Sequence, residues 1–327
     1  MSAFHSGGSR SKACRVLGLA LGLTISCCFQ SYAQPGVFDW QPLDAHVAAI
    51  RSKTYELPSG ANIKFTAVRF HLGYVRLKLV ATSETLAGGR DVKDGIARSV
   101  VNGEPKAELL SYSLEGVLSH LKEKPLVLSP AGWALSARNP DQIGLLRVNG
   151  RKIYNLSTKG TFSAILCLND TEFYRGYDAV VPVLFTVKDI TNLNPRSEKC
   201  RDAVQVGPRI IEEGARQGIA ESELRTEKYQ RVVFVVDEPN RSDDIPPKSR
   251  EAARNGYIVL THNKVHLYDL QTLLLDPSFY DGGKPHWAVN LAGDDHTGLV
   301  INDGSEPELI ERTLSTVGSV LLVERRE

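Results

Sequence analysis

The sequence lacks a hydrophobic run long enough to cross a membrane as a helix. Its longest apolar stretch, residues 16–29, is shorter than the roughly 20 residues that such a helix needs. The chain also lacks a charge excess, because 39 basic residues are matched by 38 acidic ones. Nucleic acids and anionic membranes attract surfaces with a clear positive surplus. We therefore expect no nucleic-acid partner and no transmembrane segment in the mature chain.

Several sequence signals of common enzymes are absent as well. The chain has no G-x-S-x-G, P-loop or dinucleotide-binding fingerprint, each of which carries a known chemistry. Metal sites usually take three or more ligands from defined elements. His262 and His266 are four residues apart, but residues 259–261 and 265–267 are typical of strands around a turn. We expect both to be hairpin residues, with no metal and no cofactor.

The first 33 residues have the pattern of an export signal. Three basic residues precede the apolar stretch 16–29, and Ser31-Tyr32-Ala33 places small residues where a signal peptidase cleaves. This predicts a signal peptide over 1–33 with cleavage before Gln34, and an exported protein, periplasmic or secreted. An uncleaved membrane anchor and lipidation at Cys27 or Cys28 are the weaker alternatives.

Only two of the five cysteines, Cys167 and Cys200, lie beyond this segment. Exported proteins fold in oxidising compartments, where a pair of cysteines is a natural candidate for one disulfide. Two unpaired buried thiols are the alternative.

Most of the remaining chain has the pattern of β-structure. Near-alternating apolar residues predict strands over 63–72 and 75–81. Asn149-Gly150 predicts a tight hairpin between 145–148 and 151–154, because both turn positions favour positive φ. Further strands are expected at 164–168, 181–187, 231–237, 257–261 and 318–323.

Helices are fewer. Apolar residues at helical spacing over 114–121 follow Ser113, a good N-cap, and Asp269 is expected to cap a helix over 270–275. Residues 212–229 form a short helix or a loop, and 238–256 form a polar loop. We expect fold class α+β: a single domain over 62–327 on a large mixed or antiparallel β-sheet system with a few flanking helices. An N-terminal extension over 34–61 precedes it.

The most concentrated polar chemistry lies between two apolar runs, 288–291 and 299–301. Asp294, Asp295 and His296 occupy this interval. A loop at a strand end can bring such groups to a ligand for acid/base work. A metal site and a solvated turn remain open as alternatives.

Two arginines occupy positions suited to anion binding. Arg209 follows the turn Gly207-Pro208, and Arg231 begins the apolar run 232–236. The planar guanidinium fork matches phosphate and carboxylate geometry. A simple charge at a strand edge is the alternative for Arg231.

Four segments in chain order resemble the phosphodiester glycosidase family, over roughly residues 62–324. They are Gly144-Leu145-Leu146-Arg147-Val148-Asn149-Gly150-Arg151, Gln205-Val206-Gly207-Pro208-Arg209-Ile210, the strand opened by Arg231, and Ala288-Val289-Asn290-Leu291-Ala292-Gly293. The chain departs from the family pattern in two places. Ser129-Pro130-Ala131-Gly132-Trp133 stands where the family has Asn-Gly-Gly-Phe-Phe, and Ala292 stands at the family's aspartate.

The resemblance implies a hydrolase that cleaves a sugar–phosphodiester bond and releases sugar and a phosphomonoester. Arg231, the backbone after Gly207 and Arg209 would hold phosphate, and Asp294, Asp295 or His296 would replace the missing aspartate. Asn290 would orient a sugar hydroxyl and Trp133 would stack on the sugar. Gly132, Gly293 and Thr297 complete the expected binding residues. There are two alternatives. The first is a protein that binds a sugar phosphate or envelope glycan and has lost catalysis through Ala292. The second is a structural envelope protein.

Overall fold

The computed structural model describes residues 38–88, 91–93, 96–101, 104–136, 139–158, 162–168, 182–187, 200–217, 227–238, 254–280 and 283–326. All of them belong to one compact unit, Val37–Glu327. The predicted signal peptide over 1–33 lies outside the described residues, as do 218–226 and 239–253 from two predicted loop segments. Within these ranges no helix combines the length and apolar character needed to span a bilayer.

The described elements are mostly short strands. The strands are β1 Gln41–Asp44, β2 Val47–Glu56, β3 Asn62–His71, β4 Val75–Ala81, β5 Asp91–Lys93, β6 Ile96–Val101, β7 Glu104–Leu109, β8 Val127–Pro130, β9 Trp133–Ser136, β10 Asn139–Ile143, β11 Leu146–Val148, β12 Arg151–Tyr154, β13 Ala164–Leu168, β14 Val183–Thr186, β15 Asp202–Val206, β16 Arg209–Glu212, β17 Ala215–Arg216, β18 Arg231–Asp237, β19 Asn255–Thr261, β20 Pro285–Gly293, β21 Leu299–Ile301, β22 Glu308–Glu311 and β23 Ser319–Arg325. The helices are α1 Thr82–Ala87, α2 Leu114–His120 and α3 Leu267–Leu274, with 3₁₀ turns at Pro277–Tyr280 and Asp294–His296.

Three sheets build the core. The large sheet has the order β1-β2-β3-β19-β18-β20-β16-β17, the second sheet β12-β11-β15-β13-β14, and the third sheet β22-β21-β8-β23-β4. A two-stranded ribbon, β10-β9, and a three-stranded one, β5-β6-β7, complete the described sheets. All of these pairings are antiparallel.

The large sheet is covered on both faces, which explains the unbroken apolar run of β18. Val232, Phe234 and Val236 on one face join a cluster with apolar residues of the second and third sheets. On the other face, Val233 and Val235 pack with α3 and the 3₁₀ turn at 277–280. Successive strand residues point to opposite faces, so a strand buried on both sides is apolar throughout.

The strand predictions are largely confirmed. Strands β3, β4, β13, β18, β19 and β23 lie at the expected positions, and β14 lies within the expected 181–187. The hairpin of β11 and β12 is confirmed, with φ of 50° at Asn149 and 80° at Gly150. Residues within the expected extension 34–61 form β1 and β2, which pair at one edge of the large sheet.

The helix predictions are confirmed in one case and need correction in the other. Ser113 caps α2 by accepting a hydrogen bond from the Gly116 amide at 3.2 Å. Helix α3 begins at Leu267, so the prediction that Asp269 caps a helix over 270–275 is wrong. His266 is the N-cap of α3 and His262 follows β19, so the two do not flank a simple hairpin.

The fold class α+β fits this chain only loosely. The described residues form a single sheet-rich domain whose strands are antiparallel, and the three described helices are of eight residues or fewer. The term "mixed" therefore does not apply to the described sheets.

The predicted disulfide is confirmed. Cys167 on β13 and Cys200 before β15 are bonded, with a Cα–Cα distance of 5.5 Å. Both are buried with Ile165, Phe185 and Ala203, in a cluster separate from the one between the sheets. The bond ties together neighbouring strands of the second sheet.

Candidate functional site

Three chain segments meet along the last four residues of β20. The Gly207 amide donates to the Asn290 carbonyl at 3.0 Å, and the Asn290 amide donates to the Pro208 carbonyl at 3.1 Å. The Gly132 amide donates to the Leu291 carbonyl at 2.9 Å. Arg231 pairs with Gly293 across the sheet. The motifs that the sequence places far apart are thus gathered at one strand end, the candidate site.

Arg231 is the most unusual group of this site. It begins β18, its amide donates to Thr261 Oγ1 at 2.8 Å, and the residue is only 6% exposed. Its Nε is buried and has no hydrogen-bond partner among the described residues. Burial lowers the pKa of Arg231 to about 10, although the charges of Tyr229, Asp294 and Glu227 act in the opposite direction. The side chain stays cationic at neutral pH.

An aromatic ring lies close to this cation. The Arg231 Cζ lies 4.8 Å from the centre of the Tyr229 ring, a cation–π geometry. No ion pair joins the guanidinium to a carboxylate among the described residues. A buried cation without a hydrogen-bonded anion is costly, and an anionic ligand would offset that cost.

Gly293 brings Arg231 and Trp133 together. A Cβ at Gly293 would lie 2.9 Å from Trp133 Cη2 and 3.2 Å from Arg231 Nη1. Any side chain there would therefore displace the indole or the guanidinium. The position requires glycine because the indole and the guanidinium already fill the space.

Trp133 forms an aromatic wall of the site. Its ring meets His296 edge-on with centroids 5.7 Å apart, and Phe162 at 6.2 Å. The indole Nε1 is buried and has no hydrogen-bond partner among the described residues. A buried indole N–H usually has an acceptor, so the lack of one among the described residues is unusual.

Residues 294–297 form a tight turn. The Asp294 amide donates to the Gln230 carbonyl at 3.0 Å, and its own carbonyl accepts from Thr297 N and Oγ1 at 2.9 and 2.7 Å. Asp294 has φ of 52°, a region that residues other than glycine rarely adopt. Its carboxylate is 3.0 Å from Lys264 Nζ. Thr297 therefore stabilises the turn, and Asp294 lies close to the positive charge of Arg231.

His296 has a defined proton arrangement. Its Nδ1 lies 2.8 Å from the Thr316 carbonyl. A carbonyl can only accept, so Nδ1 carries the proton, and in the neutral ring Nε2 is left as a proton acceptor. His296 can therefore act as a base.

Asp295 differs from its two neighbours. It is exposed, and its carbonyl accepts from the amides of Leu314 and Ser315 at 2.8 and 2.9 Å. Its backbone fixes the neighbouring loop, and no contact connects its side chain with Arg231 or Trp133 among the described residues.

Ala292 occupies the position where the resemblance expects an aspartate. It is fully buried in the apolar cluster between the sheets and pairs with Val232. A carboxylate there would be removed from water without a partner, which is strongly unfavourable. Any acid/base group of this chain must therefore come from another position, and Asp294 and His296 are the groups beside Arg231 and Trp133.

Asn290 and Arg209 have different surroundings. The Asn290 side chain donates from Nδ2 to the Gly207 carbonyl at 3.1 Å, and its buried Oδ1 has no described partner. Arg209 is partly buried, and its Nη1 contacts both oxygens of Glu212 at 2.7 and 2.6 Å. The charge of Arg209 is therefore already neutralised, which leaves Arg231 as the stronger anion site.

Two buried glutamines position the surrounding loops. Gln205 accepts from the amides of Leu145 and Ser157, and it donates to the carbonyls of Ser157 and Phe162. Gln142 lies beneath Gly132, where a Cβ would come within 2.5 Å of its Nε2. The sequence pattern did not predict that either glutamine positions a loop. The signal for it was a polar residue within an otherwise apolar strand.

No group of three or more histidine, cysteine or acidic side chains suited to a metal ion occurs within the described ranges.

Comparison with known proteins shows similarity in fold but not in sequence. No family model matches the chain, and no curated protein matches it in sequence. The structure is similar to the zebrafish N-acetylglucosamine-1-phosphodiester alpha-N-acetylglucosaminidase catalytic domain auto-inhibited by its pro-peptide, with a TM-score of 0.52 and 14% identity over 86% of this chain and 85% of that one. It is also similar to a hypothetical protein from Synechocystis, with a TM-score of 0.53 and 13% identity over 86% of this chain and 62% of that one. At these identities the chain shares a fold with both.

Proposed function

We propose that this protein is an exported hydrolase of sugar phosphodiesters, which releases a free sugar and a phosphomonoester. The observation that carries the proposal is Arg231, a buried cation without a carboxylate partner among the described residues, beside Trp133 and His296. The fold shared with a phosphodiester glycosidase agrees with this substrate class.

The charges of the reaction explain why an arginine suits the site. A phosphodiester carries one negative charge, and cleavage at the anomeric carbon leaves a phosphomonoester with a second. Arg231 is fixed before this charge develops, and such prearranged electrostatic stabilisation is usually a large term in catalysis. Its contribution is greater in a dry site than in water, because the local dielectric constant is lower.

Water would supply the sugar's new hydroxyl group. In the proposed step, His296 Nε2 takes a proton as water oxygen bonds to the anomeric carbon, and the C1–O bond breaks with its electron pair on the phosphate. Asp294 would stabilise the positive charge that develops on the sugar ring. Trp133 offers the apolar face against which a sugar ring can stack. Asn290 Oδ1, which has no partner among the described residues, would accept from a hydroxyl.

The test is sugar release from a panel of sugar-1-phosphodiesters by the mature protein. Replacement of Arg231 by Lys keeps the charge but removes the planar fork, and His296→Gln removes the base. We expect each to lower kcat/KM by about 10²–10⁴-fold. Arg312→Ala is a matched control, because the Arg312 side chain is 76% exposed. Full activity in both site variants would contradict the proposal.

A specific observation favours a second function, a binding protein that no longer hydrolyses its ligand. Ala292 is buried in the core at the position of the expected aspartate. Under this alternative, phosphodiesters would bind in an Arg231-dependent manner and no sugar would be released. Calorimetry with the same panel distinguishes the two functions.

A further inference from the structure

Two large apolar side chains near the candidate site are exposed to solvent, Leu135 and Leu314. Among the described residues the large exposed ones are Tyr74 at 52%, Leu135 at 60% and Leu314 at 80%. Single exposed apolar residues are common, but Leu135 and Leu314 both adjoin residues of the candidate site. Tyr74 stacks on His46 with ring centroids 4.1 Å apart, and so already has a partner.

Leu135 extends the wall formed by Trp133. Both lie on β9, two residues apart, and residues at i and i+2 of a strand share one face about 7 Å apart. Ala134 between them is buried, while Leu135 faces solvent. The apolar surface that begins at the indole therefore continues outward along the strand.

Leu314 adjoins the other partner of the Trp133–His296 contact. Its amide donates to the Asp295 carbonyl at 2.8 Å, and the Thr316 carbonyl holds His296 Nδ1. Leu314 is thus fixed beside the turn that carries the proposed base. Leu135 is two residues from Trp133 on β9, and Leu314 is bonded to Asp295, the residue before His296.

We infer that the group on the far side of the phosphate, the aglycone, is an aliphatic chain that lies against Leu135 and Leu314. The inference rests on the proposed function. A buried cation beside an exposed apolar rim matches an amphiphile with an anionic phosphate and an apolar tail. A wholly polar aglycone would leave the two leucines in water, whereas an alkyl chain would remove them from it.

The test compares two diesters of the same sugar, one with a methyl and one with a hexyl aglycone, below the micelle concentration. Full burial of a methylene group is worth about fourfold in binding. Burial of two of the five added groups therefore raises kcat/KM for the hexyl diester on the order of 10-fold. The double variant L135S/L314S should bring the ratio close to one and leave the methyl diester unaffected, since both side chains are exposed.

Tyr74→Ser is the matched control. Tyr74 follows β3 at the end where His71 pairs with Asn255, whereas Arg231 bonds Thr261 at the opposite end of β19. This variant should keep the wild-type ratio. A wild-type ratio near one, or a ratio that the double variant leaves unchanged, overturns the inference. A change of oligomeric state in the double variant with an unchanged ratio also overturns it, and assigns the leucines to a protein interface.

Failure of the proposed function gives a separate result. If neither diester is hydrolysed, calorimetry with methyl phosphate and hexyl phosphate tests the apolar rim alone. Hexyl phosphate that binds on the order of 10-fold more tightly, with the difference lost in L135S/L314S, supports the inference without catalysis. Equal affinities overturn it.

Discussion

Replacement of Arg231 by methionine should leave the protein at least as stable as the native chain while removing the phosphate affinity that we propose. Burial lowers the pKa of Arg231 to about 10. A fall of two to three pKa units corresponds to about 3 kcal/mol of unfavourable free energy for the charged form. Methionine fills much of the same volume without a charge. Replacement of a buried ion pair by apolar residues is often neutral or stabilising by about 1–4 kcal/mol. An unpaired buried charge has the same desolvation cost without the compensating attraction, so we expect a gain of about 1–3 kcal/mol.

Urea unfolding followed by tryptophan fluorescence measures this difference. Without ligand, the free energy of unfolding of Arg231→Met should equal or exceed that of the wild type. Inorganic phosphate at 100 times its Kd should add about 2.7 kcal/mol to the wild type and nothing to the variant. Relative to the wild type, the variant should therefore be as stable or more stable without phosphate and less stable with it. A purely structural residue would not produce this reversal.

Arg209→Met is the matched comparison. Arg209 already contacts Glu212, so its loss should cost about 0–1 kcal/mol, as for other partly exposed ion pairs, and should leave the phosphate effect intact. A loss of about 3–5 kcal/mol in Arg231→Met would refute the reasoning, because it would mean that the guanidinium is satisfied within the folded chain.

Three further predictions concern stability and the site. Removal of the disulfide by Cys167→Ala with Cys200→Ala should lower the free energy of unfolding by about 4 kcal/mol, given a sequence separation of 33 residues. Urea unfolding of the variant beside the reduced wild type measures this loss, and an unchanged urea midpoint would contradict the prediction. Gly293→Ala should lower phosphate affinity at least 10-fold by displacing Arg231 or Trp133, and near-UV circular dichroism should report the moved indole; unchanged affinity and spectrum would refute the crowding argument. Burial, followed by the charge of His46, lowers the pKa of His71. Below about pH 6.5 the unfolded chain therefore binds a proton more readily than the folded chain does. The free energy of unfolding should fall as the pH falls. His71→Asn should flatten this dependence between pH 7 and 5 in thermal melts, and an equal slope in both proteins would contradict it.

Local patterns in the sequence predict much of the sheet system. Strand β18 was predictable because its apolar run is unbroken, and the β11–β12 hairpin because Asn149-Gly150 suits positive φ. The start of α3 was not predictable in this way. No side chain caps it, and its position is set by the burial of Leu267 and Leu270 against the large sheet.

The candidate site was predictable only in part. Arg231 and Trp133 were found through the resemblance and their residue type. Both lie against Gly293, and this placement depends on the sheet register, which the sequence alone does not specify. The pairing of Arg209 with Glu212 was in principle visible as an i, i+3 pair, yet only the structure shows that it neutralises the arginine. The burial of Ala292 likewise follows from the register with Val232.

The pairing of β4 with β23 has a consequence for how the protein reaches its folded state. These strands are far apart in sequence, as the pair Arg76 and Glu324 shows, yet they are hydrogen-bonded neighbours in the third sheet. During synthesis β4 is made long before its partner, and its edge stays open until β23 is available. Such long-range contacts slow folding and leave unpaired edges exposed to aggregation. We expect the nascent chain to depend on a chaperone until β23 has been made.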